Sequence, residues 1–111
     1  MAHLATCANG RPHVAPVWYV YDEGVVSIVT AGKKLKNIRQ NPRVSVSVEQ
    51  STDGNPEWTV TLLGTADIIE DEEAFRETNR RINHKYGASA DAFPQNTLVR
   101  IAIASASHRT Y

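Results

Sequence analysis

A basic segment, Lys33 to Arg39, holds the residues best suited to bind an anion. Lys33, Lys34 and Lys36 lie within a span of four positions. A phosphate that leaves water needs donors that match its charge, and a helical turn can add backbone N–H groups to those of the lysines. The same lysines could instead form the solvated face of a short helix, the commoner role of an isolated basic cluster. Asn37 and Arg39 leave two roles equally open, ligand binding or hydrogen bonds to nearby backbone carbonyls.

The other reactive residue types do not form the pattern of a catalytic or metal site. Cys7 is the only cysteine, which excludes an intrachain disulfide and argues against a thiol-rich metal site. The four histidines have no spacing that would bring them together as metal ligands. No Ser-His-Asp or Cys-His arrangement can be argued. The sequence therefore predicts no metal site and leaves the catalytic residues undefined.

Length and charge limit the classes of function. The 111 residues fit one domain, 1–111, and such a short chain would gain stability from a partner subunit that covers an apolar face. Lys+Arg and Asp+Glu both number 12, which argues against general binding to nucleic acid or a membrane surface. The start of the chain has no secretory pattern and no run is long enough to span a bilayer, so we expect a cytoplasmic protein.

Alternating apolar and polar residues predict a mainly β fold. Asn9-Gly10 marks a hairpin, and Gly64 marks a bend or bulge. Pro16 marks an edge, a bulge or a place where a ligand approaches. Ala31–Gln40 has the spacing of a short helix, and Asp71-Glu72-Glu73 begins a longer one that Gly87 ends. Ser51–Pro56 is predicted as a polar turn, and Ala88–Asn96 as an ordinary polar linker. The six predicted strands are His3–Ala8, His13–Tyr21, Val25–Thr30, Arg43–Glu49, Trp58–Ile69 and Thr97–Ala106.

Two stretches of the chain resemble a known family. They are GRPHVAPVW, from Gly10 to Trp18, and KKLKNIRQNPRV, from Lys33 to Val44, with Thr30 between them. In this order they resemble the pyridoxamine 5′-phosphate oxidase-like split β-barrel superfamily, and most closely its flavin/deazaflavin oxidoreductase branch. The resemblance implies a six-stranded antiparallel split β-barrel of the FMN-binding type with one or two helices. It also implies a homodimer whose two cofactor sites lie at the interface and are lined by both subunits.

The resemblance further implies a cofactor, FMN or the deazaflavin coenzyme F-420, and the residues that bind it. Backbone around Pro16, Val17 and Trp18 would approach the ring system. The residues that would contact phosphate are Thr30, Lys34, Lys36 and in some relatives Lys33, while Asn37 and Arg39 could add hydrogen bonds. Trp18 could also pack on the ring, although a large aromatic in a strand more often belongs to the core or a subunit interface.

Three functions are compatible with these expectations. The first is an oxidoreductase in which the bound cofactor exchanges a hydride with a small organic substrate, because such a cofactor needs no catalytic side chain from the protein. The second is a carrier that holds a flavin or deazaflavin without turnover. The third is a haem-binding barrel, which would need an axial ligand such as one of the four histidines.

Overall fold

The computed structural model describes residues 1–111 and contains seven strands and two helices. All strand pairings are antiparallel, and the order across the sheet is β2-β1-β5-β6-β7-β4-β3. The helices are α1 (Gly32–Gln40) and α2 (Glu72–Lys85). The strands are β1 (Ala2–Ala8), β2 (Arg11–Val17), β3 (Tyr19–Asp22), β4 (Val25–Thr30), β5 (Arg43–Thr52), β6 (Asn55–Ile69) and β7 (Thr97–Thr110).

The sheet closes on itself because its two edge strands are consecutive in the chain. β2 lies at one edge and β3 at the other, and Trp18 alone joins them. The resulting split barrel confirms the predicted fold class. The number of strands is seven rather than six, since the predicted strand His13–Tyr21 is broken at Trp18. The chain changes neighbours there, from β1 to β4, and one ladder cannot continue across that change.

The hairpins follow the predicted turn residues. Asn9 and Gly10 have φ values of 54° and 72°, the left-handed pair that a two-residue hairpin turn requires. The β5–β6 hairpin is longer than predicted, because Thr52 pairs with Asn55 and the turn shrinks to Asp53-Gly54. This end of the hairpin is exposed, so polar residues there are compatible with a ladder.

The core lies inside the barrel and is built from rows of inward-facing side chains. Leu4, Val46 and Leu62 are direct neighbours on β1, β5 and β6, and all three are buried. The β6–β7 register shifts at Gly64, which confirms the predicted bulge. A Cβ at this position would lie 2.5 Å from the carbonyl oxygen of Ala102, so only glycine fits the close approach of the strands.

The two helices pack on different parts of the barrel. α1 packs against β1 and buries Ile38, whereas α2 packs against β3, β4 and β7 and buries Ile82. Asp71 caps α2 by accepting a 3.0 Å hydrogen bond from the N–H of Ala74. Neither helix is long and apolar enough to cross a membrane.

Candidate functional site

A cavity of about 430 Å³ opens where the barrel closes, and we call it the Trp18 cavity. The ends of β2 and β4, the first turn of α1, and α2 with the segment that follows it all contribute to its walls. It combines several apolar surfaces with a small number of polar groups, the usual composition of a small-ligand site. Its lining residues are Met1, Pro16, Val17, Trp18, Val29, Thr30, Ala31, Lys34, Asn83, Phe93 and Asn96.

Trp18 is the aromatic wall of this cavity and has a fixed position. Its ring stacks on Tyr86 with centroids 4.8 Å apart and planes at 4°, and meets Phe93 edge-on at 5.8 Å. Such pairs add stability beyond the area that they bury. Trp18 thus belongs to an aromatic cluster at the barrel closure, and it also lines the cavity.

The end of α2 is tied to the start of β3 behind this cluster. The Lys85 ammonium donates to the carbonyl oxygen of Tyr19 at 2.9 Å and lies 3.5 Å from the centre of the Tyr19 ring. Burial lowers the pKa of Lys85 below its ordinary value of 10.5. The Tyr19 N–H donates to the Tyr86 hydroxyl at 3.4 Å, and burial raises the pKa of Tyr86. These contacts hold Tyr86 beneath Trp18.

The polar wall of the cavity lies at the start of α1. Ala31, the N-cap residue, has no side chain that can bond the free N–H groups of the first helical turn, and it lines the cavity together with Lys34. Thr30, at the end of β4, is 3% exposed and contributes a hydroxyl. An ammonium group and a helix start without a side-chain cap therefore lie at one wall, a combination that suits an anion.

Five of the nine predicted binding residues lie together in this cavity, and four lie elsewhere. The lysines on the exposed faces of α1, Lys33 and Lys36, are not among its lining residues. Asn37 is buried and donates to the Thr6 hydroxyl at 3.0 Å, which fastens α1 to β1. Arg39 lines a different cavity, of about 630 Å³, beside the first half of α2.

Six lining residues were not predicted as binding residues. Three of them are Met1, Val29 and Ala31, and the other three come from α2 or the segment after it. Asn83 lies on the buried face of α2, which is mostly polar. Phe93 and Asn96 lie in Ala88–Asn96, which is therefore more than an ordinary linker. The φ of 60° at Phe93 is uncommon for a bulky residue. The sequence held no signal for Asn83, because a polar residue in a helix is ordinarily assigned to the exposed face.

The histidines and acids do not converge on a metal site. No group of three or more His, Cys, Asp or Glu residues is close enough to hold a metal ion, and no histidine lines either cavity. His13 faces inward on β2, directly opposite Thr6 on β1. The functional groups that remain at the Trp18 cavity are thus an ammonium, a hydroxyl, two amides and aromatic rings.

A closed antiparallel sheet whose two edge strands meet at Trp18 defines a split β-barrel, and the Trp18 cavity lies at its closure. Residues 1–109 match the family model described as pyridoxamine 5′-phosphate oxidase, and the chain belongs to this family. No curated protein matches the chain.

Solved structures that share the fold include the following three. An FAD-binding protein from Mesorhizobium loti is 27% identical over 99% of this chain and 85% of that one, with a TM-score of 0.81. A structure described as F-420 reductase is 27% identical over 96% of this chain and 87% of that one, with a TM-score of 0.77. The heme storage protein HutZ from Vibrio cholerae has a TM-score of 0.81 over 98% of this chain and 84% of its own, but at 18% identity it shows the fold alone.

Proposed function

We propose that this protein binds FMN or the deazaflavin coenzyme F-420 in the Trp18 cavity and works as an oxidoreductase on a small organic substrate. The observation that carries the proposal is the joint position of Lys34, the uncapped start of α1 and the Trp18 ring on one cavity. Phosphate and a planar redox ring are the two parts that such cofactors share, and this cavity offers a group for each.

The phosphate end is assigned to the start of α1. Lys34 supplies a full positive charge, and the first-turn N–H groups supply aligned donors without the cost of a second ordered side chain. Thr30 is positioned to add a hydroxyl donor. Lys33 and Lys36 raise the local positive potential from the exposed faces of the helix and would steer the anion rather than hold it.

The ring end is assigned to the apolar and aromatic wall. Pro16, Val17 and Trp18 form one continuous stretch of chain along the cavity, and Phe93 covers part of it. A volume of about 430 Å³ falls in the range of small-molecule sites, roughly 300–1,000 Å³. These residues would exclude water from the ring and orient it, while Tyr86 and Lys85 keep Trp18 in place.

The bound cofactor would supply hydride transfer, so the protein needs only to bind, orient and keep water out. Such a role for the protein is compatible with a cavity whose lining residues include no histidine and no pair of acids. An FAD-binding protein and an F-420 reductase are equally similar to the chain at 27% identity, so both kinds of cofactor are kept in the proposal.

Titration of both cofactors, followed by tryptophan fluorescence, tests the binding step. We expect saturable quenching by one of them in the wild type and in Trp58→Phe, because Trp58 does not line the cavity. Trp18→Phe should lose most of the quenching. Failure of both cofactors to bind at micromolar concentration would refute the proposal.

Turnover is tested separately with the loaded protein and a panel of hydride acceptors. Tight binding without turnover across the panel would assign the protein to the carriers. A haem carrier is disfavoured by the position of the histidines, since none of the four lines the cavity. The visible absorption spectrum of the purified protein distinguishes these cases directly.

We also propose that two copies of the chain associate through the outer face of β2, β1, β5 and β6. One cross-strand row on this face contains only uncharged residues, and Val14 and Leu63 in it are 64% and 54% exposed. Alanine and serine between them leave the surface flat enough for close approach. Sedimentation of the wild type should give a dimer, and Leu63→Lys should weaken it.

A further inference from the structure

Phe93 combines a strained backbone with a large, partly exposed ring at the Trp18 cavity. Its φ of 60° lies in the left-handed region, which a bulky residue rarely adopts. The other non-glycine residues with positive φ are Asn9, Glu23 and Asp53, and each of them lies in a hairpin turn directly before a glycine. Phe93 lies in no hairpin and is 45% exposed. Neither a hairpin turn nor complete burial therefore accounts for its conformation.

Hydrogen bonds hold the chain on both sides of Phe93. The Ala92 carbonyl oxygen, in the peptide group that precedes Phe93, accepts from the side-chain amides of Asn79 at 2.8 Å and Asn83 at 3.1 Å. On the other side, the Phe93 carbonyl oxygen accepts from the N–H of Asn96 at 3.2 Å. A strained residue persists where its surroundings fix the chain in this way. Helix α2, which carries both amides, thus helps to hold Phe93 in its left-handed conformation.

The rings of Phe93 and Trp18 form an aromatic corner in the wall of the cavity. Their planes lie at 83° with centroids 5.8 Å apart, and both residues line the cavity. A flat ring that stacks on either of them therefore presents its edge to the other, and stacked and edge-on contacts are the two arrangements that aromatic pairs prefer. Because Phe93 is partly exposed, a ligand can reach its ring and would cover apolar surface that water now contacts.

We propose that Phe93 recognises the flat ring of the ligand in the Trp18 cavity, and that the hydrogen bonds from α2 hold its ring in position for this contact. The inference rests on the proposed function and makes it more specific. It assigns the anionic part of the ligand to Lys34 on α1 and the ring to a side chain that follows α2. The segment Ala88–Asn96 then takes part in binding through an aromatic contact that involves no charge.

The competing explanation is that Phe93 only packs against Trp18 and stabilises the closure of the barrel. Two substitutions separate these roles, because glycine adopts a positive φ without strain and alanine does not, while both remove the ring. Phe93→Gly should therefore unfold at a higher urea concentration than Phe93→Ala. If the ring contacts the ligand, the two variants lose affinity equally. If Phe93 acts only through stability, any loss of affinity is larger in Phe93→Ala.

The test measures Kd for FMN, or for coenzyme F-420 if the titration selects it, from the fluorescence of the cofactor itself. We expect Phe93→Ala and Phe93→Gly to bind about tenfold more weakly than the wild type, and Phe93→Tyr, which keeps the ring, to bind within about threefold of it. The losses should be the same at low and high salt, because the contact is uncharged. Phe75→Ala is the matched control. It removes the same ring from the wall of the other cavity, so affinity should not change.

Wild-type affinity in Phe93→Ala and Phe93→Gly, or a loss confined to the less stable of the two, would overturn the inference while leaving cofactor binding intact. A loss that high salt abolishes would also overturn it, because the contact would then be with the charged end. Failure of both cofactors to bind the wild type would overturn the proposed function as well. If Phe93→Ala does not fold, Phe93→Gly and Phe93→Tyr decide: weaker binding in the glycine variant alone supports the contact, and equal affinity contradicts it.

Discussion

Replacing Lys34 by alanine is the most direct test of the anion-binding wall. Lys34 is the only lysine that lines the Trp18 cavity, whereas Lys33 and Lys36, one and two positions away, are exposed and do not. Substitutions of Lys33 or Lys36 can therefore serve as controls for a substitution of Lys34. Lys34→Ala should weaken cofactor binding strongly, and Lys36→Ala should change it little, although both remove one positive charge from α1.

The size of the effect follows from charge and solvation. Two unit charges 4 Å apart interact by about 4 kcal/mol at an effective dielectric constant near 20. Lys34 is half-buried, so water screens part of this energy, and the first-turn N–H groups of α1 still bind the anion after the substitution. We therefore expect a loss of about 1.4–2.8 kcal/mol, or ten- to a hundredfold in Kd. An exposed lysine should contribute at most about 1 kcal/mol.

The assay is the tryptophan-fluorescence titration with each variant at several salt concentrations. Salt should weaken binding to the wild type more steeply than binding to Lys34→Ala, because the variant has lost one direct charge contact. Equal losses for Lys34→Ala and Lys36→Ala would mean that the cluster acts only through its general potential. Unchanged affinity in Lys34→Ala would refute the assignment of the phosphate to this wall.

Three further predictions concern the scaffold. Ile82→Ala empties a fully buried position between α2 and the sheet, and it should lower the free energy of unfolding by about 2–5 kcal/mol in urea titrations. Asp71→Ala removes the cap on Ala74 N–H and should cost about 1 kcal/mol by the same measurement, whereas Asp71→Asn should retain most of the stability. Arg81 hydrogen-bonds Asp22 and holds its pKa below the ordinary 3.8, so the pair stabilises the fold above that pH and is lost as the pH falls through the lowered pKa. Asp22→Asn should accordingly make the urea midpoint less sensitive to pH between about 2 and 5, and identical pH profiles would contradict this role.

The strands were predictable because their side chains alternate and their turns carry strong signals. Val44, Val46 and Val48 face the core as the alternation on β5 indicates, and Gly64 lies at the predicted bulge. The break at Trp18 was not predictable from these signals. It depends on which strands become neighbours when the sheet closes, and local alternation carries no information about distant pairing.

The candidate site was predictable only in part, because local sequence patterns also carry no information about how the elements pack together. The resemblance indicated Pro16 to Trp18, Thr30 and Lys34, which the structure brings to one cavity. The resemblance could not show that Lys34 lines the cavity and Lys36 does not, because this difference depends on how α1 is rotated on β1. Asn83 was missed because a polar residue in a helix is ordinarily assigned to the exposed face, and only the packing of α2 reveals that it is buried.

The way in which the barrel closes has a consequence for its mechanics. Trp18 has no cross-strand partner, so side chains rather than a ladder hold the two free edges of the sheet together at this point. A molecule resting on Trp18 would therefore also resist opening of the barrel. Cofactor binding should slow amide hydrogen exchange most in Tyr19–Asp22, the short edge strand beyond the junction, and much less in the paired strands β6 and β7. Ligand binding in the Trp18 cavity and protection of this edge strand from exchange should then increase together.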